Sequence, residues 1–417
     1  KNVFGCNIGS NNQSDFPGTL FRLPLRTARQ ASCSNISQKS YDKHEMEELL
    51  QLFLKGSDSL LLFTQHVKRV EVHHMPVEGS DAVLLFSVEK EKSKTITPLI
   101  VDPLVEFDVL TKFCLHSKTA NKDCQMKTSM IVEMKRTVTE NGSLFFPEET
   151  KLSTTPWLLS FMFNMTQNAE LPPRVLDSGY CPYGSVAIPL LRSATSDNDY
   201  IPEALNTTSN KGAVYCHLPL PIITSLPVHI NGSFAIHSNR RQLHKKTFDD
   251  KDSWKAAWND FLLKNVICPA YVMLLQDLLT MNKATNVKYV DLWPALHPAE
   301  TDLEALVKAF YQDKLSELVM LQEGHKHICL PGAAIFDKSL TSHRRHSENA
   351  LQVFKQSVFE LTVIDIEEEI LRTMRQLNPG ATEPQMYSDL RFLQEIFFPR
   401  ICSVVDHMLR DEVLVWA

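Results

Sequence analysis

The sequence predicts an α+β fold: a β-rich middle domain built on a mostly antiparallel twisted sheet, followed by a mainly α-helical region. Three observations carry that expectation. Short apolar runs follow one another from 59 to 237, divided by polar or Pro/Gly turns such as 76–81 and 139–142. From Ser253 the apolar period lengthens to a helical one, with Trp254, Ala257, Trp258, Phe261 and Leu262 on one stripe. A chain of 417 residues with 43% hydrophobic content is long enough for two or three domains with sizeable cores.

Taken in order, Phe16-Pro17-Gly18-Thr19 leads into an alternating strand in which Leu20, Leu23 and Leu25 mix with Arg22 and Arg26. Such a mixture suits a half-buried sheet, and Gly18 lets backbone approach closely. Residues 41–55 form an amphipathic helix through Met46, Leu49, Leu50, Phe53 and Leu54, ended by Gly56. Strands are expected at 59–75, 82–90, 128–138, 157–165, 184–191, 212–218 and 227–237, with a polar surface loop over 193–210. Asn231-Gly232 lies between two apolar runs and predicts a type I′ hairpin, in which both residues take positive φ.

The character changes at Lys245. Asp250, Asp252 and Ser253 are capping candidates for the next helix, and Pro269 kinks or restarts it. Thr301-Asp302-Leu303-Glu304 reads as a capping box for a further helix through Leu306, Val307, Phe310, Leu315 and Leu318. Later helices are expected at 347–357, 366–377 and 387–410, with Asn378-Pro379-Gly380 as a stop. No internal repeat stands out.

A net charge of −6 supplies no bulk basic field for nucleic acid, and no run of eighteen apolar residues implies membrane insertion. The opening residues lack the layout of a signal peptide, so a cytoplasmic chain is expected. On that view the Asn-x-Ser/Thr triplets at Asn141, Asn164 and Asn231 are chance matches. Nine scattered cysteines without Cys-x-x-Cys spacing read as reduced thiols. His325, His327 and Cys329 alternate onto one strand face, yet structural zinc wants a fourth ligand, so no metal is expected.

No Gly-x-Ser-x-Gly elbow, His-Glu-x-x-His helix or P-loop occurs. Trp254, Trp258, Phe261 and Tyr271 at helical spacing read as core. The basic run 238–246 is different in kind. A guanidinium from Arg240 or Arg241 suits a phosphate in a bidentate grip, whereas the plainer reading pairs these residues with Asp249, Asp250 and Asp252 or with water.

The wording of residues 16–26 resembles the last Gly-Thr strand of the ATP-binding (GHKL-like) fold shared by gyrase, MutL, histidine kinases and the ninety-kilodalton heat-shock chaperones. Within that group it is similar to the sacsin-repeat family. Leu218-Pro219-Leu220-Pro221, then Leu226-Pro227-Val228-His229, then Ser238-Asn239-Arg240-Arg241, and the stretch from Trp258 to Tyr271 resemble the same repeats. The resemblance implies three parts: 1–30 as the C-terminal strand of an ATP-binding domain, 31–245 as the β-rich middle domain, and 246–417 as the helical domain. It places Thr19 near the adenine of an incomplete ATP site and Arg240 or Arg241 at a phosphate.

The adenine Asp motif, metal-binding Asn, catalytic Glu and Gly-rich lid do not precede Phe16 here. The resemblance therefore implies no cofactor in this chain, no enzyme activity of its own, and ATP with magnesium in the full repeat. It implies as partners the upstream ATP-binding domain, the seventy-kilodalton heat-shock chaperone, the proteasome and client proteins, in a large cytosolic co-chaperone. Two alternatives stay open: a passive scaffold with a degenerate nucleotide unit, and an enzyme with an unrecognised site in the β-rich region.

Overall fold

The computed structural model describes residues 2–3, 6–7, 25–64, 66–75, 82–91, 94–97, 124–147, 151–165, 180–192, 200–202, 212–245, 253–281, 289–296, 301–314, 319–321, 327–329, 334–336, 363–365, 368–377 and 386–387. The fold is α+β with mostly antiparallel strand pairing. Two compact units divide the chain. One comprises Lys1–Thr95, Val101–Phe107 and Met130–Trp157, and the other Ile96–Ile100, Asp108–Ser129 and Leu158–Ala417.

In the first unit, β1 (Asn2–Val3) and β2 (Cys6–Asn7) form a small antiparallel pair. The helix Lys43–Lys55 starts at a reciprocal cap: Glu45 N–H donates to Asp42 Oδ1 at 3.0 Å and Asp42 N–H to Glu45 Oε2 at 2.9 Å. Gly56 ends it, as its sequence predicts, and donates its N–H to the Leu52 carbonyl. The buried side carries Leu54 and sets Phe53 against Phe86, whose ring meets Phe146 edge-on at 5.6 Å.

The expected strand 59–75 is shorter in the structure. Ser57 and Thr64 donate their hydroxyls to the Leu54 and Leu61 carbonyls, and these local bonds hold residues 57–64 in tight turns. The strand, β3, spans only Arg69–His74 and pairs antiparallel with β4 (Val83–Lys90). Beyond β5 (Lys94–Thr97) comes the long β6 (Cys124–Val138), whose C-terminal part pairs antiparallel with β4 from Phe86↔Val138 to Lys90↔Met134. Arg136 of β6 is 8% exposed; its Nη1 donates to the Leu54 carbonyl and its Nε lies 3.8 Å from Asp58 Oδ1.

The second unit takes most of β7 (Leu152–Met165) and then β8 (Tyr183–Arg192), β9 (Tyr200–Pro202), β10 (Gly212–Cys216), β11 (Leu218–Thr224) and β12 (His229–Gly232). Its strand order is β7-β8-β12-β10-β11, with β9 also on β8; β10 and β12 are parallel, while β12–β8 and β10–β11 are antiparallel. β8 is buried from Tyr183 to Leu190, the continuous apolar pattern of a strand covered on both faces.

Asn231 and Gly232 do not form the expected type I′ hairpin. They lie within β12, paired with Ser185 and Gly184, and Asn231 is not among the residues with positive φ. A dipeptide that favours a turn by local chemistry is here held extended by partners on both sides.

Helices cover this sheet. Ser253–Leu262, a π-helical stretch Leu263–Ile267 and Cys268–Met281 run on as one segment. Pro269 explains the widened turn: it lacks an N–H and its ring crowds the carbonyl four residues earlier, that of Asn265. The Asn164 side-chain amide donates to that carbonyl at 2.9 Å. The segment is long and apolar enough to cross a membrane, but 67% of its most apolar window is buried inside the protein, as in a core helix. Trp258, Phe261 and Tyr271 are buried in it, and the Tyr271 hydroxyl donates to the Leu292 carbonyl at 2.6 Å.

The helix Glu304–Ala309 follows a 3-10 turn at Thr301–Leu303. Its N-cap is Leu303 with no side-chain bond, so the expected Thr301–Glu304 capping box does not start it. The helix expected at 366–377 is Glu368–Leu377, tied in by the Thr373 hydroxyl, which accepts the Leu296 N–H at 2.9 Å. Short strands accompany the helices: β13 (Val319–Leu321) antiparallel to β14 (His327–Cys329), and β15 (Ala334–Phe336) parallel to β16 (Val363–Asp365) and β17 (Met386–Tyr387). The helix expected at 347–357, and 387–410 beyond Tyr387, lie outside the described residues.

Candidate functional site

The basic run lies on a turn whose shape is set from below. Strand β12 leads into residues 233–245, where Ile236 and Leu243 make an isolated antiparallel bridge and His237 N–H donates to the Gln242 carbonyl. Asn259 clamps both arms: its Oδ1 accepts the Ala235 N–H at 2.8 Å, and its Nδ2 donates to the Ala235 and His244 carbonyls. The Trp258 indole N–H donates to the Ser233 carbonyl at 2.7 Å. The turn therefore stands on a buried helix face, with the His237 and His244 rings stacked 4.0 Å apart at its base.

Arg240 occupies the tip in a left-handed conformation, φ 55°, and donates its N–H to the His237 carbonyl. Its guanidinium Nη2 donates to the Cys216 carbonyl at 3.2 Å. His217, the next residue, has φ 63° and is the other non-glycine residue in that region among those described. Left-handed backbone is costly for L-residues, and such positions gather where structure over-determines them. The hydrogen bond from Arg240 to Cys216 joins one of them to the residue preceding the other.

Behind His217 lies a polar chain. The Tyr183 hydroxyl is hydrogen-bonded to His217 Nε2 at 2.6 Å, and the buried Asn231 side chain accepts the His217 N–H at 2.9 Å while donating to Ser185 Oγ. Burial, and then the Arg240 charge, lower the His217 pKa. Burial, joined by Cys216 and Cys181, holds the Tyr183 phenol well above its ordinary value, and burial also raises the Cys216 thiol. At neutral pH the pair is therefore a neutral phenol on a neutral imidazole, beside one permanent cation. This arrangement offers an exposed guanidinium, held by one hydrogen bond, to an anionic oxygen.

Of the residues singled out by sequence, Arg240 sits in this arrangement. Arg241 is exposed beside it, its backbone N–H donating to Asn239 Oδ1. Asp249, Asp250 and Asp252, the partners of the plainer reading, lie outside the described residues; Lys245 pairs with Asp302 at 2.8 Å. Thr19 and His325 also lie outside the described residues. Among the described residues no group of three His, Cys, Asp or Glu side chains is placed to hold a metal ion, and Cys33, Cys181, Cys216 and Cys268 are free thiols. Tyr183, His217 and Asn231 escaped the sequence reading. A histidine followed by Leu-Pro-Leu-Pro carries no left-handed signal, and Asn231 had a local turn to explain it.

The comparisons bear on the whole chain. The family model described as Sacsin domain matches residues 1–87. Sacsin from Homo sapiens is 24% identical over an alignment 478 positions long, which takes in 99% of this chain and 10% of that protein. The chain is a sacsin-like region. It spans about a tenth of the length of human sacsin, and that sacsin similarity, unlike the family model, extends across Arg240, His217 and Asn231. No solved structure matches the chain.

Proposed function

We propose that this sacsin-like region is the middle part of a cytoplasmic co-chaperone repeat, without a catalytic set of its own, that completes the work of an ATP-binding domain preceding it in the same polypeptide. The similarity to sacsin along 99% of the chain supports this reading. One observation carries it: Arg240 projects from a left-handed turn clamped to a buried helix, its guanidinium held on the Cys216 carbonyl rather than swinging on a loose loop. A fixed cation lowers the energy of charge developing on a transferring phosphoryl group without reorganising at the moment of reaction.

On this reading the adenine and magnesium contacts come from the upstream domain, where ATP supplies the phosphoryl group. Arg240 contributes charge, and Arg241 is a solvated neighbour. The full-length protein then couples nucleotide use to client folding with the seventy-kilodalton heat-shock chaperone and to the proteasome. The test compares ATP turnover by full-length wild type, Arg240→Ala and Arg241→Ala. Arg240→Ala should cut turnover by on the order of tenfold or more, with Arg241→Ala near wild type. Equal turnover in all three, or none in wild type, overturns the proposal.

A further inference from the structure

We infer that Asn231 is a positioning residue for Arg240, acting at a distance through the left-handed turn at His217. Its consequence for turnover rests on the phosphate reading above, whereas the positioning itself does not.

Asn231 is 2% exposed in the middle of the sheet, opposite Ser185 on β8 and Tyr215 on β10. Its amide is oriented from both ends. Nδ2 donates to Ser185 Oγ at 3.2 Å, which leaves Oδ1 to accept the His217 N–H at 2.9 Å. That N–H belongs to the one residue that reverses the chain between β10 and β11, since Cys216 pairs directly with Leu218. A histidine at φ 63° needs compensation from its surroundings, and the bond from a buried, oriented amide provides it.

The turn in its place fixes the tip of the arginine. With His217 held left-handed, the Cys216 carbonyl meets Arg240 Nη2 at 3.2 Å. The backbone of Arg240 is set separately, by its own N–H donating to the His237 carbonyl at 2.8 Å. Root and tip of this side chain are thus held by different elements, the root by its own turn and the tip by the β10–β11 connection, through Asn231. A flexible arginine loses rotamer freedom when it grips an oxyanion, and holding its tip in advance removes that loss.

The experiment measures phenylglyoxal modification of Arg240 relative to Arg241 by mass spectrometry on the full-length protein, beside ATP turnover. Asn231→Ala should raise the Arg240:Arg241 ratio by about threefold, the scale of one lost hydrogen bond, and lower kcat with KM unchanged. The decisive pair is His217→Gly and His217→Ala, each placed in the Asn231→Ala background where the compensating bond is gone. Both remove the imidazole, but only glycine accepts the left-handed backbone without strain. Without Asn231, glycine should keep the wild-type Arg240:Arg241 ratio and alanine should raise it; with Asn231 present, both should stay near wild type. Combining Asn231→Ala with His217→Gly should restore protection, a rescue that a general loss of structure cannot produce.

An unchanged ratio in natively folded Asn231→Ala overturns the inference. Should that variant fail to fold, a ratio that rises when Asn231→Ala is added to His217→Gly overturns it equally, because a left-handed glycine needs no compensating bond. If the ratio rises and the rescue works while turnover stays constant across all variants and in Arg240→Ala, the positioning stands and the phosphate reading falls.

Discussion

His229 sits in β12 with 7% of its surface exposed, its Nδ1 accepting the Ala213 N–H at 2.9 Å and its ring 5.4 Å from that of Tyr215. Burial lowers its pKa from 6.5 to about 4. A protonated imidazole has no acceptor left for the Ala213 N–H, so charging this side chain in place costs both desolvation and a hydrogen bond. Because the folded-state pKa is depressed, the unfolded chain binds the proton first as pH falls. The stabilising effect of a neutral His229 is fully present above pH 6.5 and is lost progressively between pH 6.5 and about 4. At 1.36 kcal/mol per unit, this gap corresponds to a loss of about 3 kcal/mol across that window.

The assay is urea unfolding of wild type and His229→Asn from pH 7.5 down to pH 4. Asparagine keeps an acceptor near the position of Nδ1 but cannot titrate. It should cost about 1–2 kcal/mol at neutral pH through the lost ring, and that deficit should shrink and then reverse toward pH 4. Carboxylates and the other histidines titrate in both proteins and cancel in the comparison. Parallel stability profiles across the window would refute the reasoning, because they would mean that His229 accepts its proton in the folded state at little cost.

Two more perturbations test the packing. Gly212→Ala places a Cβ against the Leu226 and Val228 carbonyl oxygens and 2.6 Å from Thr224 Oγ1, and should lower stability by about 3 kcal/mol; Gly232→Ala, whose Cβ has the Phe234 and Ile267 side chains as its nearest neighbours at 3.3–3.5 Å, should cost about 1 kcal/mol or less. Equal shifts in the two urea midpoints would restore the hairpin turn at Gly232. Arg136→Met deprives Asp58 of this cation inside the first unit and removes one of the donors to the Leu54 carbonyl, which keeps the Ser57 hydroxyl, and should cost about 3 kcal/mol, with part of it regained on adding Asp58→Asn; a neutral single variant would show the pair to be solvated.

The elements that the sequence foretells are those whose causes are local. The helix Lys43–Lys55 falls inside the expected 41–55 because its stripe and its terminal Gly56 are written within one segment. Pro269 marks a disturbed helix for the same reason, although the answering group, the Asn164 amide on the freed Asn265 carbonyl, lies 101 residues away in sequence and has no local trace. The site divides along the same line. Arg240 is visible as charge in a basic run, but the features that place it are a left-handed histidine without a glycine signal and a hydrogen bond spanning 24 residues to Cys216.

Asn231 shows most directly how a sound local argument reaches the wrong address. Asparagine favours turns because its short amide reaches backbone N–H groups that a reversal leaves unsatisfied. The structure uses that same capacity, yet for a turn 14 residues earlier in the chain, where the Oδ1 accepts the N–H of His217. Both readings invoke one chemical property, and the sheet decides between them. Pairing with Ser185 and Tyr215 holds the Asn231 backbone extended, which leaves its side chain available to complete another residue's turn. On this argument the Asn-Gly dipeptide marks a turn-stabilising amide rather than a turn, and its effect is to be sought at Arg240.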